Sequence, residues 1–434
     1  MNPTTRRAFL TKGLTMLAAG GTVPTFISRT AFAVGDPFDV KQTQADSGVD
    51  GKILVVCQLS GGNDGLNTVI PFGDDEYYRA RPGIGIGGDQ ALKMTDFLGL
   101  NPELTSLMDL YNDGRMALVQ GVGYPNPDRS HFRSMDVWHT ANPKVEAIRS
   151  GWLGRFFDNQ CGGIDPKGQP IDPTATGDPQ SGISLGESNP IAMQGETTMP
   201  LSLEDVNDYK YKGPGDDALS QLHLDTDGKA DDPLTEEGQL DFLTRTAMDA
   251  QVSSDRVLKA VNSHQPPVQY PRGKFGDGLR MTAAMIKGHM PTRVYYVSLG
   301  GFDTHAGQLG RHGRLMREFA QGIGAFMADM QQQGNDERVA VMTFSEFGRR
   351  VKQNASGGTD HGAAAPMMFF GKRVNPGIVG NHPSLTDLDQ GDLKYGIDFR
   401  SCYASVLHQW LDCDAETVGR ILGARFDALP LLRG

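Results

Sequence analysis

The sequence predicts an α/β fold on a mostly parallel sheet, and three observations point there. Ile53-Leu54-Val55-Val56-Cys57-Gln58-Leu59 and Val339–Phe344 are short continuous apolar runs, the pattern of strands buried on both faces of a parallel sheet. Segments of helical periodicity lie between such runs, as with Leu104, Leu107, Met108 and Tyr111 in 102–112, which share one helix face. Clusters of ligand-forming side chains adjoin the runs, and open α/β sheets place their sites at strand carboxyl ends.

The first 33 residues read as an address. Arg6-Arg7 precedes an apolar pair and Lys12, a mild apolar segment spans Gly13 to Ala19, and Ala31-Phe32-Ala33 is a small-x-small cleavage site. The three parts resemble a bacterial twin-arginine export signal; a stray arginine pair in a tail is the alternative. The resemblance implies a periplasmic or secreted protein, with the twin-arginine translocase as partner and 34–434 as one mature domain. No stretch approaches the roughly 20 apolar residues of a span, so no permanent membrane span is expected. The signal carries four basic residues and no acidic one. The 41 basic residues less these four leave 37 against 52 acidic, a net of −15. Such a surface repels phosphate backbones and argues against nucleic acid.

The strand Ile53–Leu59 runs into Ser60-Gly61-Gly62-Asn63-Asp64-Gly65. This places Asp64 at a strand end, either as a ligand or in an Asp-Gly turn. A helix over Pro102–Asn112 and a strand over Arg115–Val122 come next. The loop after them holds Pro125 and Pro127, and Ser130 heads a helix running through Trp138. Ser130 is a candidate nucleophile beside His131, because a helix N-terminus favours anions; a plain N-cap is the alternative. Residues 161–238 are rich in Gly, Pro, Asp and Ser, which predicts irregular loops or a small cap. Whether this stretch is a substrate-facing lid or a solvated excursion stays open. Two helices follow, Leu240–Ala260 and Phe275–Lys287, then a strand, Arg293–Leu299.

That strand leads to Gly300-Gly301-Phe302-Asp303-Thr304-His305. Asp303 and His305, two apart in extended chain, project to one side and can meet one ion. A helix from Gly310 to Gln332 returns the chain to Val339–Phe344. Ser345-Glu346-Phe347-Gly348, a Gly/Ser-rich loop, Asp360-His361 and a second apolar run, Pro366–Phe370, complete the unit. A carboxylate beside an imidazole between glycines suits a divalent ion, and a polar turn is the alternative. A last helix spans Ser401–Leu411, preceded by Arg400, read as an ion-pairing residue. Cys57, Cys161, Cys402 and Cys413 form no CxxC; Cys402 and Cys413 are left open as a pair.

With the twin-arginine start, LSGGNDGLN, GGFDTH and TFSEFGRR…GTDHG on the page, the chain resembles a bacterial family of unknown function, domain of unknown function fifteen-oh-one. That family resembles the alkaline phosphatase and sulfatase superfamily. The resemblance implies a three-layer αβα sandwich and a hydrolase of phosphate or sulfate esters using one or two divalent ions, zinc, manganese or calcium. Carried over residue by residue, it implies Asp64, Asp303, His305, Glu346, Asp360 and His361 as metal ligands. It implies Ser130 as nucleophile, with His131 beside it. Phe347 departs from the pattern, standing where sulfatases carry a ligand His, so a non-catalytic binding or assembly protein on a decayed hydrolase scaffold is the second reading. A cofactor-carrying redox protein, suggested only by the export route, has no haem, iron–sulfur or dinucleotide motif to support it.

Overall fold

A computed structural model describes residues 51–144, 150–161, 179–186, 189–204 and 257–434. Residues 1–33 lie outside the described residues. So does most of the predicted helix Leu240–Ala260, whose described residues 257–260 are helical and continue helical to 263.

Among the described residues the centre is a nine-stranded sheet. In chain order its strands are β1 (Ile53–Ser60), β2 (Met116–Gly123), β3 (Gly182–Leu185), β4 (Leu201–Leu203), β5 (Val294–Gly300), β6 (Val339–Phe344), β7 (Ala365–Phe370), β8 (Gly377–Val379) and β9 (Ile397–Asp398). Across the sheet they run β8-β2-β7-β6-β1-β5-β3-β4, with β9 also paired to β2. β1 pairs in parallel with β5 and with β6, and β3 with β4 and with β5. β7 is antiparallel to both of its neighbours, β2 and β6.

The helices that cover the sheet are α1 (Thr105–Asn112), α2 (His131–Thr140), α3 (Trp152–Cys161), α4 (Lys274–Lys287), α5 (Gln308–Gln333), α6 (Phe399–Ser405) and α7 (Ala415–Leu422). Alternation along β1 sorts them into two layers. Ile53, Val55, Cys57 and Leu59 pack with Leu107 of α1, Leu279 of α4 and Phe319 of α5. Leu54 and Val56 face Trp138 of α2, Phe156 of α3, Tyr403 of α6 and Ile421 of α7. Side chains alternate across a strand, so a run apolar at every position feeds both faces. The result is the expected three-layer αβα sandwich.

Three expectations are corrected or refined. The stretch 161–238 is not only loops or a cap, because its described parts supply β3 and β4 to the central sheet. Strands of four and three residues amid Gly and Pro leave apolar runs too short to read by period. The helix after Arg400 ends its α-helical part at Ser405 and continues as a π-turn, Val406–Trp410. Cys402 and Cys413, like Cys57, are free and buried; burial pushes the Cys413 thiol up to about 12. Among the described residues no helix is long and apolar enough to cross a membrane.

Candidate metal centre

One edge of the sheet gathers the polar clusters. β1 ends before Gly61–Asp64, β5 before Asp303 and His305, β6 before Ser345–Arg349, and β2 before the loop to α2. β7 runs the other way, so its amino end lies at this same edge, and the residues preceding it, Asp360 and His361, join the group. A parallel strand there would have sent them to the opposite edge.

Four side chains converge. Around Asp303 Oδ1 stand His305 Nε2 at 3.0 Å, His361 Nε2 at 3.2 Å and His131 Nε2 at 3.5 Å. His305 Nε2 and His361 Nε2 are 2.9 Å apart. The far nitrogen of each imidazole is committed. His131 Nδ1 meets Glu346 Oε1 at 2.8 Å, His305 Nδ1 meets Asp360 Oδ1 at 3.2 Å, and His361 Nδ1 meets the Arg129 carbonyl at 2.8 Å. A carboxylate or carbonyl oxygen only accepts, so each Nδ1 carries the proton. Three Nε2 atoms are left facing one carboxylate oxygen, which also accepts from Arg349 Nη2 at 2.8 Å, with the Nδ1 nitrogens held by outer oxygens as in histidine metal sites.

The donor set fits a divalent ion. Three imidazole nitrogens and a carboxylate suit zinc or a neighbouring transition ion. Bonds of about 2.0–2.1 Å in a tetrahedron imply donor separations of roughly 3.3 Å, close to those found here. Among the described residues His131 Nε2 is buried without a hydrogen-bond partner, an orphaned polar atom that a cation would satisfy. His131, Asp303 and His361 form a three-residue group with metal-ligand spacing, and His305 joins it through the distances above.

Electrostatics agree. Burial, the largest single influence, pushes the Asp303 carboxyl up, but the hydrogen bonds from Arg349 and His361 and the charges of Arg349 and His305 together outweigh it and hold the group well below the usual range. The Glu346 hydrogen bond raises His131 above the ordinary histidine value, against the burial that lowers it. Phe347 is buried against the rings of His131 and His361, at centroid distances of 4.8 and 4.7 Å.

The structure redistributes the predicted roles. Asp303, His305 and His361 are brought together. His131, expected beside a nucleophile, joins them. Glu346 and Asp360 stand behind the imidazoles as orienting acceptors; Glu346 also accepts from the Gly61 N–H at 2.8 Å. Asp64 lies apart from the group: it is fully buried, 2.5 Å from Arg81 Nη1, and accepts from the amide of Gln308. Its oxygens are taken up inside the fold by Arg81, Gln308 and the Leu66 N–H, and none of them faces the converging imidazoles. Ser130 is the exposed N-cap of α2, its side chain making no capping bond. Arg400 pairs locally, with Asp398 at 2.6 Å. Sequence reasoning missed Arg349, whose buried side chain lies 2.8 Å from Asp303 Oδ1 and donates to carbonyls of Gly62, Phe302 and Thr359. Its only advance signal was the arginine pair after Gly348.

The family described as "Protein of unknown function (DUF1501)" matches residues 51–423. The chain belongs to this family. A search of curated proteins found no match. Among solved structures, the PsFucS1 sulfatase from Pseudoalteromonas sp. is similar at 10% identity and a TM-score of 0.36, over 94% of this chain and 75% of that one. A protein in the alkaline phosphatase superfamily from Vibrio parahaemolyticus is similar at 9% identity and a TM-score of 0.35, over 87% and 70%. The lipoteichoic acid synthase LtaP from Listeria monocytogenes gives 8% identity and a TM-score of 0.30, over 76% and 68%. Likeness at this level carries no chemistry to this DUF1501 member, whose site stands on its own geometry.

Proposed function

We propose that this DUF1501 protein is an exported metal-dependent hydrolase of phosphate or sulfate esters, holding one divalent ion through His131, Asp303, His305 and His361. The observation that carries this reading is the convergence of three imidazole Nε2 atoms on one carboxylate oxygen at an exposed sheet edge. One ion is favoured over two because Asp64, bonded to Arg81 and Gln308, lies apart from the four converging side chains. When bound, the ion supplies a Lewis acid that polarises the ester oxygens. The chain's own residues do the rest. Glu346, Asp360 and the Arg129 carbonyl keep the imidazoles oriented, and Arg349 keeps Asp303 ionised. Ser130, at the amino end of α2 where backbone N–H groups favour an anion, is the candidate attacking hydroxyl. Export, through the twin-arginine translocase to the periplasm or beyond, is part of the proposal and rests on Arg6-Arg7 and the segments after it.

The second reading, a binding or assembly protein on a decayed scaffold, is favoured by Phe347 and Arg349, an apolar ring and a fixed cation beside the centre. Elemental analysis of protein purified without chelator, wild type beside His361→Ala, separates the two. About one equivalent of zinc, manganese or calcium, lost in the variant, supports the hydrolase. A wild type that stays metal-free after incubation with these ions supports the binding protein. If metal is found, Ser130→Ala assayed on aryl phosphate and sulfate esters tests the attacking hydroxyl. A loss of about a thousandfold in kcat is expected for a nucleophile, and unchanged turnover assigns the attack to water.

A further inference from the structure

We infer that Gln308 is the positioning residue of the metal centre: its side-chain amide pins the Asp303–His305 loop to the Thr359–His361 loop and so sets the approach of His305 to His361. The inference rests on the reading of that cluster as a metal centre. Gln308 is the first residue of α5 and fully buried. Its Oε1 accepts from two hydroxyls, Thr304 Oγ1 at 3.1 Å and Thr359 Oγ1 at 2.6 Å. Thr304 lies between Asp303 and His305, and Thr359 precedes Asp360 and His361. One amide oxygen therefore ties together the two loops that supply three of the four converging donors. The loops also meet through the backbone, Thr359 N to Thr304 O at 3.3 Å.

The direction of this amide is not free. Its Nε2 donates to Asp64 Oδ2, and an ionised carboxylate can only accept. A flipped amide would set oxygen against oxygen and leave both threonine hydroxyls without their acceptor, a costly state for buried groups. Asp64 is fixed in turn by Arg81 Nη1 at 2.5 Å and by the Leu66 N–H at 3.2 Å. Arg81 is anchored on Asn67 Oδ1 and the carbonyls of Arg350 and Val351 at 2.8–2.9 Å. The conspicuous carboxylate of the LSGGNDGLN motif thus acts through Gln308, two hydrogen bonds from the centre, and not as a ligand.

The test is zinc affinity of the full-length exported protein by equilibrium dialysis with elemental analysis, and manganese affinity beside it. Variants are Gln308→Met, of similar shape without the amide, Thr359→Val, and the conservative Thr359→Ser. Removing an outer partner of a metal site typically costs 10–100-fold in affinity. The expected result is a loss of about that size in Gln308→Met and Thr359→Val at full folding, with Thr359→Ser restoring wild-type binding. Should Gln308→Met fail to fold, the Thr359 pair decides. Wild-type zinc affinity in folded Gln308→Met or in Thr359→Val, with only a lower Tm, overturns the positioning role and leaves the centre standing. A wild type that binds neither ion overturns the centre itself, and this inference with it.

Discussion

In the proposed metal centre Glu346 would act on the ion without touching it. Its Oε1 accepts hydrogen bonds from His131 Nδ1–H and from the Gly61 N–H, which turns the opposite imidazole nitrogen toward Asp303. Replacement by glutamine keeps the size and removes the charge. Zinc affinity of Glu346→Gln at pH 8 is expected to fall roughly 10–100-fold, measured by competition with a chromophoric chelator. The His131 pKa should fall too, because the largest influence raising it is the Glu346 hydrogen bond. An NMR titration of the metal-free imidazoles reads this directly, and an unmoved His131 would refute the assignment. At this scale much was legible: Asp303, His305 and His361 are of ligand type and adjoin strands. Their partners were not, since nothing in sequence spacing tells a carboxylate that binds an ion from one that holds an imidazole or, like Asp64, answers a buried arginine.

At the scale of elements, the turn leaving β1 is shaped by glycine. Gly61 has φ +116, and a Cβ there would stand 2.6 Å from Asp303 N. A side chain is therefore excluded twice, by backbone conformation and by the loop after β5 pressed against it. Gly61→Ala is expected to cost about 1–3 kcal/mol and to shift Asp303, lowering both Tm and zinc affinity. A variant that melts and binds as the wild type would refute the close approach. β7 gives the second element-scale lesson. Its apolar run was plain in the sequence, but not its direction. That direction is decided by pairing with β2 and β6, and it carries His361 to the edge where His131, Asp303 and His305 already stand.

For the whole molecule, the buried histidines outside the centre set a pH dependence. Burial lowers His139 and His312 from 6.5 to about 4. Below pH 6.5 the unfolded chain takes up protons that the folded protein refuses, so stability is full above 6.5 and is lost as pH falls toward 4. Each group accounts for roughly 3 kcal/mol at full extent. His131, raised instead, favours the folded state below 6.5 and loses that contribution as pH rises through its folded value. Urea unfolding midpoints of metal-free protein should drop between pH 7 and pH 5, and a flat profile would contradict the burial of these rings. The sequence by itself determined the fold class, because apolar runs of strand length and helical periodicity are local properties of the chain. It also determined the residue types at the strand ends. Only the tertiary structure decided which of them meet. The strand order, the reversal of β7 and the buried guanidiniums of Arg81 and Arg349 are consequences of long-range packing and charge neutralisation. Asp64 and Arg81 stand 17 residues apart and Asp303 and Arg349 46 apart, so no single helix or strand contains both members of either pair.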